Sequence, residues 1–160
     1  MTTLAGANTS ATRSALTDGT TFRLGQTTHD FAGNSYVYVK ASAAFTLGDC
    51  IAIKAGYTAA PMTDALSKTV SLVGVASKVA FTIDYYGWVQ TGGSFDNLRV
   101  AIDCEPAKPL YITATAGVLD DATLSSMIQG IQITTSATAA GAFPATGRPT
   151  INWGANLSQI

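Results

Sequence analysis

No stretch of this chain sustains a helical period. Instead, short runs of β-branched, aromatic and aliphatic residues recur along most of its 160 residues, each bounded by Gly, Asp, Asn or Pro. Such punctuated runs are too short for helices and have the length and chemistry of strands. Tyr36-Val-Tyr-Val-Lys-Ala41 is the strongest; period two puts Tyr36 and Tyr38 on one face, Val37 and Val39 on the other. Phe22 to Gly25, Cys50 to Lys54, Val70 to Ala76, Val79 to Ile83, Leu98 to Ile102, Leu110 to Thr113, Ile128 to Ile133 and Thr150 to Gly154 continue the series. Gly74, inside its run, predicts a bulge or a close backbone approach. Thr63 to Lys68 suits one helical turn. The expected fold is therefore all-β: a compact β-sandwich or β-barrel of roughly ten short strands.

The chain divides unevenly. Residues 1–20 are small, polar and aperiodic, and read as a flexible, extended N-terminal arm whose only anchors are Leu4 and Leu16. Residues 21–160 read as a single β-domain. Within it, two loosely similar β-units, about 45–80 and 105–136, follow one another: Leu110 to Thr113 stands where Cys50 to Ile53 stood, Ala116-Gly117 matches Ala55-Gly56, Asp121-Ala122 matches Asp64-Ala65, and the run around Gly130 matches the run around Gly74. Between the units lies Asp84-Tyr-Tyr-Gly-Trp-Val-Gln-Thr-Gly-Gly93, read as the strand that joins them, with Gly92-Gly93 as a turn behind it. The aperiodic, small-residue segment 136–149 reads as a loop.

Composition narrows the function classes. Charged residues are 12% of the chain, against roughly 25% in an average soluble domain. With a net charge of −1 there is no electrostatic footprint for nucleic acid or an acidic membrane. No apolar run approaches the about 18 residues that span a bilayer, and the first residues lack a signal peptide's basic and apolar regions. The chain is expected to be made in the cytoplasm, where Cys50 and Cys104 read as buried free thiols.

Catalysis finds little support. His29, the only histidine, reads as solvated in a polar loop beside Asp30, and no nucleophile motif accompanies it. Asp120-Asp121 reads as a turn, without the surrounding oxygen ligands of a calcium loop. Asp84, Asp103 and Glu105 are the candidates for a carboxylate pair. Gly92-Gly93 is followed by neither lysine nor helix, so it does not make a phosphate loop. No enzyme activity, cofactor or metal is expected. The residues singled out for contact with a partner or second subunit are Leu4, Leu16, Tyr36, Tyr38, Trp88 and Trp153.

Several pieces, in order, resemble the small head-decoration (cement) proteins of tailed bacteriophages. They are Phe22-Arg-Leu-Gly25, Gly33-Asn-Ser-Tyr-Val-Tyr-Val39, Leu47-Gly-Asp-Cys-Ile51, Val73-Gly-Val-Ala76, Tyr86-Gly-Trp-Val-Gln90, Leu110 to Gly117 with Asp120-Asp121, and Ile128-Gln-Gly-Ile131. Together they span residues 22 to about 135. The resemblance implies a structural virion protein, a homotrimer bound to the major capsid protein on the outer capsid surface, at junctions between capsid subunits, with no nucleic acid or membrane partner. A phage tail or fibre component is the alternative it leaves. A carbohydrate-binding β-module, using the flat faces of Trp88, Tyr36, Tyr38 or Trp153, is the alternative left by the aromatics themselves.

Overall fold

A computed structural model describes residues 7–14, 22–70, 72–122 and 125–151. The fold is all-β, as expected: among the described residues there are ten strands, one turn of α-helix, α1 (Asp64–Ser67), and one 3-10 turn (Ala55–Tyr57). The strands are β1 (Thr27–His29), β2 (Ser35–Ala41), β3 (Cys50–Ile53), β4 (Thr58–Pro61), β5 (Leu72–Val75), β6 (Tyr86–Val100), β7 (Leu110–Ile112), β8 (Leu119–Asp120), β9 (Met127–Ile133) and β10 (Gly141–Ile151). Thr63 caps α1, its Oγ1 accepting from Leu66 N at 3.2 Å.

Strand pairing closes the first half into a barrel. β2 runs parallel to β4; β4 pairs β3, β3 pairs β5, β5 pairs β6 and β6 returns to β2, all antiparallel. The same order of pairings then starts again from β6. β6 runs parallel to β8, β8 pairs β7, β7 pairs β9, β9 pairs β10, and β10 returns to β6. β6 is thus the closing strand of the first circuit and the opening strand of the second. β1 pairs β2 alone and forms the edge of the sheet.

Side-chain alternation fills both circuits. Val37, Val39, Ile51, Ile53, Ala59, Phe81 and Val89 form one core. Leu98, Val100, Leu110, Ile112, Leu119, Ile128 and Ile133 form the other, joined by Cys50, Ala52, Val73 and Val75. Odd and even residues of β3 therefore serve different cores, and all four of its residues are buried. Both thiols, Cys50 and Cys104, are buried and free.

Four local expectations are corrected. Gly92-Gly93 is not a turn: β6 runs through it as one strand of 15 residues. Its first half, to Gly92, pairs β2, and its second half, from Gly93, pairs β10. The glycines mark the change of partner; Gly93 takes φ 104°, and a side chain there would run into Asn34. Segment 136–149 is not all loop, because β10 begins at Gly141. Its small side chains carry no periodicity, but β6 and β9 supply a ladder on each side. Pro144 and Pro149 fall where the register breaks, so their missing N–H groups cost no ladder bond. Phe22 to Gly25 leads into a turn (Gln26 N to Arg23 O, 3.0 Å), and the strand is β1, which ends in His29. Val79 to Ile83 is irregular apart from Phe81, which exchanges backbone bonds with Phe45.

Candidate binding surface

The β1–β2 hairpin ends in Asp30-Phe-Ala-Gly-Asn34, and Asp30 builds that tip. Its Oδ1 accepts from Ala32 N (2.9 Å) and Asn34 N (3.0 Å). Its Oδ2 accepts from Asn34 Nδ2 (2.8 Å) and the Tyr36 hydroxyl (3.0 Å). Gly33, at φ 84°, supplies the left-handed turn residue, and its N–H donates to Asp30 O at 3.1 Å. Asn34 is buried and its Oδ1 accepts from Ser94 N at 2.8 Å, fastening the tip to the middle of β6.

The electrostatics agree with this geometry. Burial works to raise the Asp30 pKa, but the bonds from Asn34, Tyr36 and Ala32 outweigh it and hold the carboxyl below its usual range. Burial, then the bond to Asp30, pushes the Tyr36 hydroxyl far up, so it stays a donor. The consequence is a fixed loop with Phe31 fully exposed, at 106% of its reference area.

Beside the hairpin lies a mainly apolar cleft of about 290 Å³, bounded by Thr27, His29, Tyr36, Leu72 and Pro149, with Arg148 at its rim. A broader hollow of about 730 Å³ lies over β9, around Gly130 and Lys108. Two further large apolar side chains stand out, Ile83 and Ile102, half-exposed just before and just after β6.

Of the residues singled out from sequence, Tyr36 lines this cleft, whereas Tyr38 and Trp88 do not. Tyr36, Tyr38 and Trp88 are each at least 97% buried within the chain itself. They form a third cluster on the outer face of β2 and β6, covered by Phe22 and Ala7. Phe22 meets the Trp88 ring at 5.0 Å and Tyr38 at 5.3 Å, and Tyr38 meets Trp88 at 5.1 Å. Arg13 exchanges two 2.8 Å backbone bonds with Tyr86, so this part of the N-terminal segment lies on the chain's own barrel. With those faces covered, these three aromatics offer no platform for a sugar. Leu4, Leu16 and Trp153 lie outside the described residues, as does most of the 1–20 arm.

The remaining candidates sit at strand ends and turns: His29 ends β1 and Asp120 ends β8, where a loop and a turn were expected. His29 is exposed. Cys104, Asp120 and Asp121 bring ligand-type atoms within 4.8 Å of one another. One oxygen of each carboxylate and the thiol are already engaged: Cys104 Sγ with Asp120 Oδ1 (3.6 Å), Asp120 Oδ1 with Ala122 N (3.2 Å) and Asp121 Oδ2 with Glu105 N (3.0 Å). Burial pushes the Cys104 thiol up to about 11 and the Cys50 thiol to about 12, so both remain protonated. Asp84 pairs with Lys40 at 2.8 Å and Glu105 with Lys108 at 2.7 Å, while Asp84 and Asp103 take positive φ. Among the described residues, no helix is long and apolar enough to cross a membrane.

No family model, curated protein or solved structure matches this chain.

Sequence reasoning missed Phe31. The signal was one large apolar residue inside a polar turn, Asp30-Phe-Ala-Gly-Asn34, between two strands.

Proposed function

We propose that this chain is a non-catalytic structural virion protein of the capsid-decoration class. It assembles as a homotrimer and binds the major capsid protein on the outer capsid surface, at junctions between subunits, and so stabilises the expanded head. Besides the resemblance across residues 22 to about 135, one observation carries this reading. The fold fuses two circuits through β6, buries most large apolar side chains among the described residues, and exposes the others outside its strands: Leu24, Phe31, Leu47, Tyr57, Ile83 and Ile102. A stiff body with a few protruding apolar points suits attachment to a repeated lattice. Its low charge of −1 keeps the desolvation cost of such contacts small.

The energetics follow from mass action. A protein that binds only the expanded shell stabilises that state by an amount that grows with its free concentration relative to its Kd. In a trimer the second and third contacts are intramolecular, so modest single contacts add to high avidity. The test is sedimentation of the purified protein with expanded, undecorated capsids of its phage. Saturable co-sedimentation at a fixed ratio to capsid subunits is expected. Protein that stays in the supernatant at every capsid concentration overturns the reading.

A further inference from the structure

We propose that the Asp30–Asn34 tip is a self-association plug: Phe31 of one copy seats in the cleft between Thr27, Tyr36, Leu72 and Pro149 of a second copy. The inference rests on the oligomeric part of the function proposed above and names the contact that builds the oligomer.

Four observations converge on it. First, Phe31 stands fully in water, although burying an aromatic ring is among the most favourable single contacts a surface makes. Second, the loop that carries it is already rigid. The four bonds to the Asp30 carboxylate and the Asn34–Ser94 bond fix the tip before any partner arrives, so little ordering entropy is lost on docking.

Third, the same molecule offers a receptor of matching size and polarity. The cleft of about 290 Å³ has room for one benzyl side chain between largely apolar walls. Tyr36 is one of those walls, and its hydroxyl also holds Asp30, so plug and socket share a residue. Fourth, the charges complement each other. Arg148 lines the cleft, is exposed, and forms no ion pair among the described residues. A docking Phe31 brings the Asp30 carboxylate of its own copy towards that guanidinium. β1, the outer strand of the hairpin, is a sheet edge along which the second copy can lie. A membrane is the poorer occupant: the tip has one large apolar side chain and no basic residue, where interfacial segments carry several of each.

The test uses the full chain. Sedimentation equilibrium is expected to show a concentration-dependent oligomer for the wild type. Phe31→Ser should weaken its association about 30-fold or more, the effect of losing a hot-spot side chain, with an unchanged circular dichroism spectrum. Separately, Ala32→Cys protein, which keeps the Phe31 ring beside an exposed thiol, is mixed with Thr150→Cys protein under mild oxidation. Thr150 lines the cleft, and the native thiols are buried, so a disulfide-linked heterodimer on a non-reducing gel reports the tip in the socket. A monomeric wild type, a Phe31→Ser variant that associates normally, or a mixture without the heterodimer each overturns the proposal. If a monomeric wild type pellets with anionic lipid vesicles, the tip belongs to a membrane instead. The two readings fail separately. A monomeric Phe31→Ser variant that still pellets with capsids leaves the plug standing and shows that capsid binding does not need it. A wild type that oligomerises through Phe31 but ignores capsids removes the capsid role alone.

Discussion

Asp30 shows how one side chain sets the shape of a surface without touching anything outside it. Its carboxylate answers four donors that would otherwise point into an open loop. Because these bonds hold its pKa below the usual range, the unfolded chain takes up the proton first as pH falls. The stabilisation is therefore complete above the unfolded value, about 3.9, and is lost as pH drops through the lower folded value. Asp30→Asn should lower unfolding stability by about 1–3 kcal/mol near neutrality, and the gap from wild type should close in acid. Urea titrations of both proteins between neutral pH and the acid limit check this; a gap that does not change with pH would show that the carboxylate charge plays no part. Phe31 itself was poorly legible in sequence for a physical reason. Alternation marks a residue as inward or outward only inside a strand, and a turn has no period to read.

At the scale of elements, legibility followed the strength of the flanking signals. β2, β3, β5, β7 and β9 were readable because alternating or continuous apolar side chains meet a Gly, Asp or Pro boundary. β10 was not, since its Ala, Gly, Thr and Pro side chains contribute little burial, and what makes it a strand is backbone pairing to β6 and β9. The match of Gly130 to Gly74 also misled. Cys50 pairs Val75, whereas Leu110 pairs Ile128, so the two glycines sit at different heights in their circuits. They also do different things: Gly74 is extended and lets Val89 approach, while Gly130 takes φ 74° against the backbone of Arg148. β6 was split wrongly at Gly92-Gly93, since a glycine pair marks a turn and a change of partner alike. The two glycines should respond differently to substitution. Gly92→Ala meets the Arg148 side chain at 3.4 Å and the Gly147 carbonyl at 3.7 Å, ordinary contacts, and should leave stability nearly unchanged. Gly93→Ala adds positive-φ strain to a clash with Asn34 and should cost about 1–3 kcal/mol or more. Thermal melts of the two variants compare them directly, and equal losses would count against the hand-over of β6 at Gly93.

For the whole molecule, the shared strand decides how the parts depend on one another. The second core contains Cys50, Ala52, Val73 and Val75, which belong to strands of the first circuit. Ion pairing crosses the same boundary: Arg99 of β6 reaches the buried Asp49 carboxylate at 2.5 Å and also donates to Thr46 Oγ1 at 2.8 Å. Neither circuit is thus a separate folding unit, although their pairing orders are the same. Cutting the chain after residue 100 would leave the first circuit with its strands intact but with those four apolar side chains in water. It would also leave Asp49 beside an Arg99 stripped of its β10 partner, Ala142. Burial at roughly 25 cal/mol per Å² is what holds such a surface closed, and marginal domains do not survive its loss. The fragment 1–100 is therefore expected to lack a cooperative melt, whereas the full chain unfolds in one transition. Hydrogen exchange monitored on β3 and β9 gives the decisive comparison. Equal protection free energies in the two strands are expected of a single unit, and a first circuit that stays protected after the second has opened would show two units merely joined end to end.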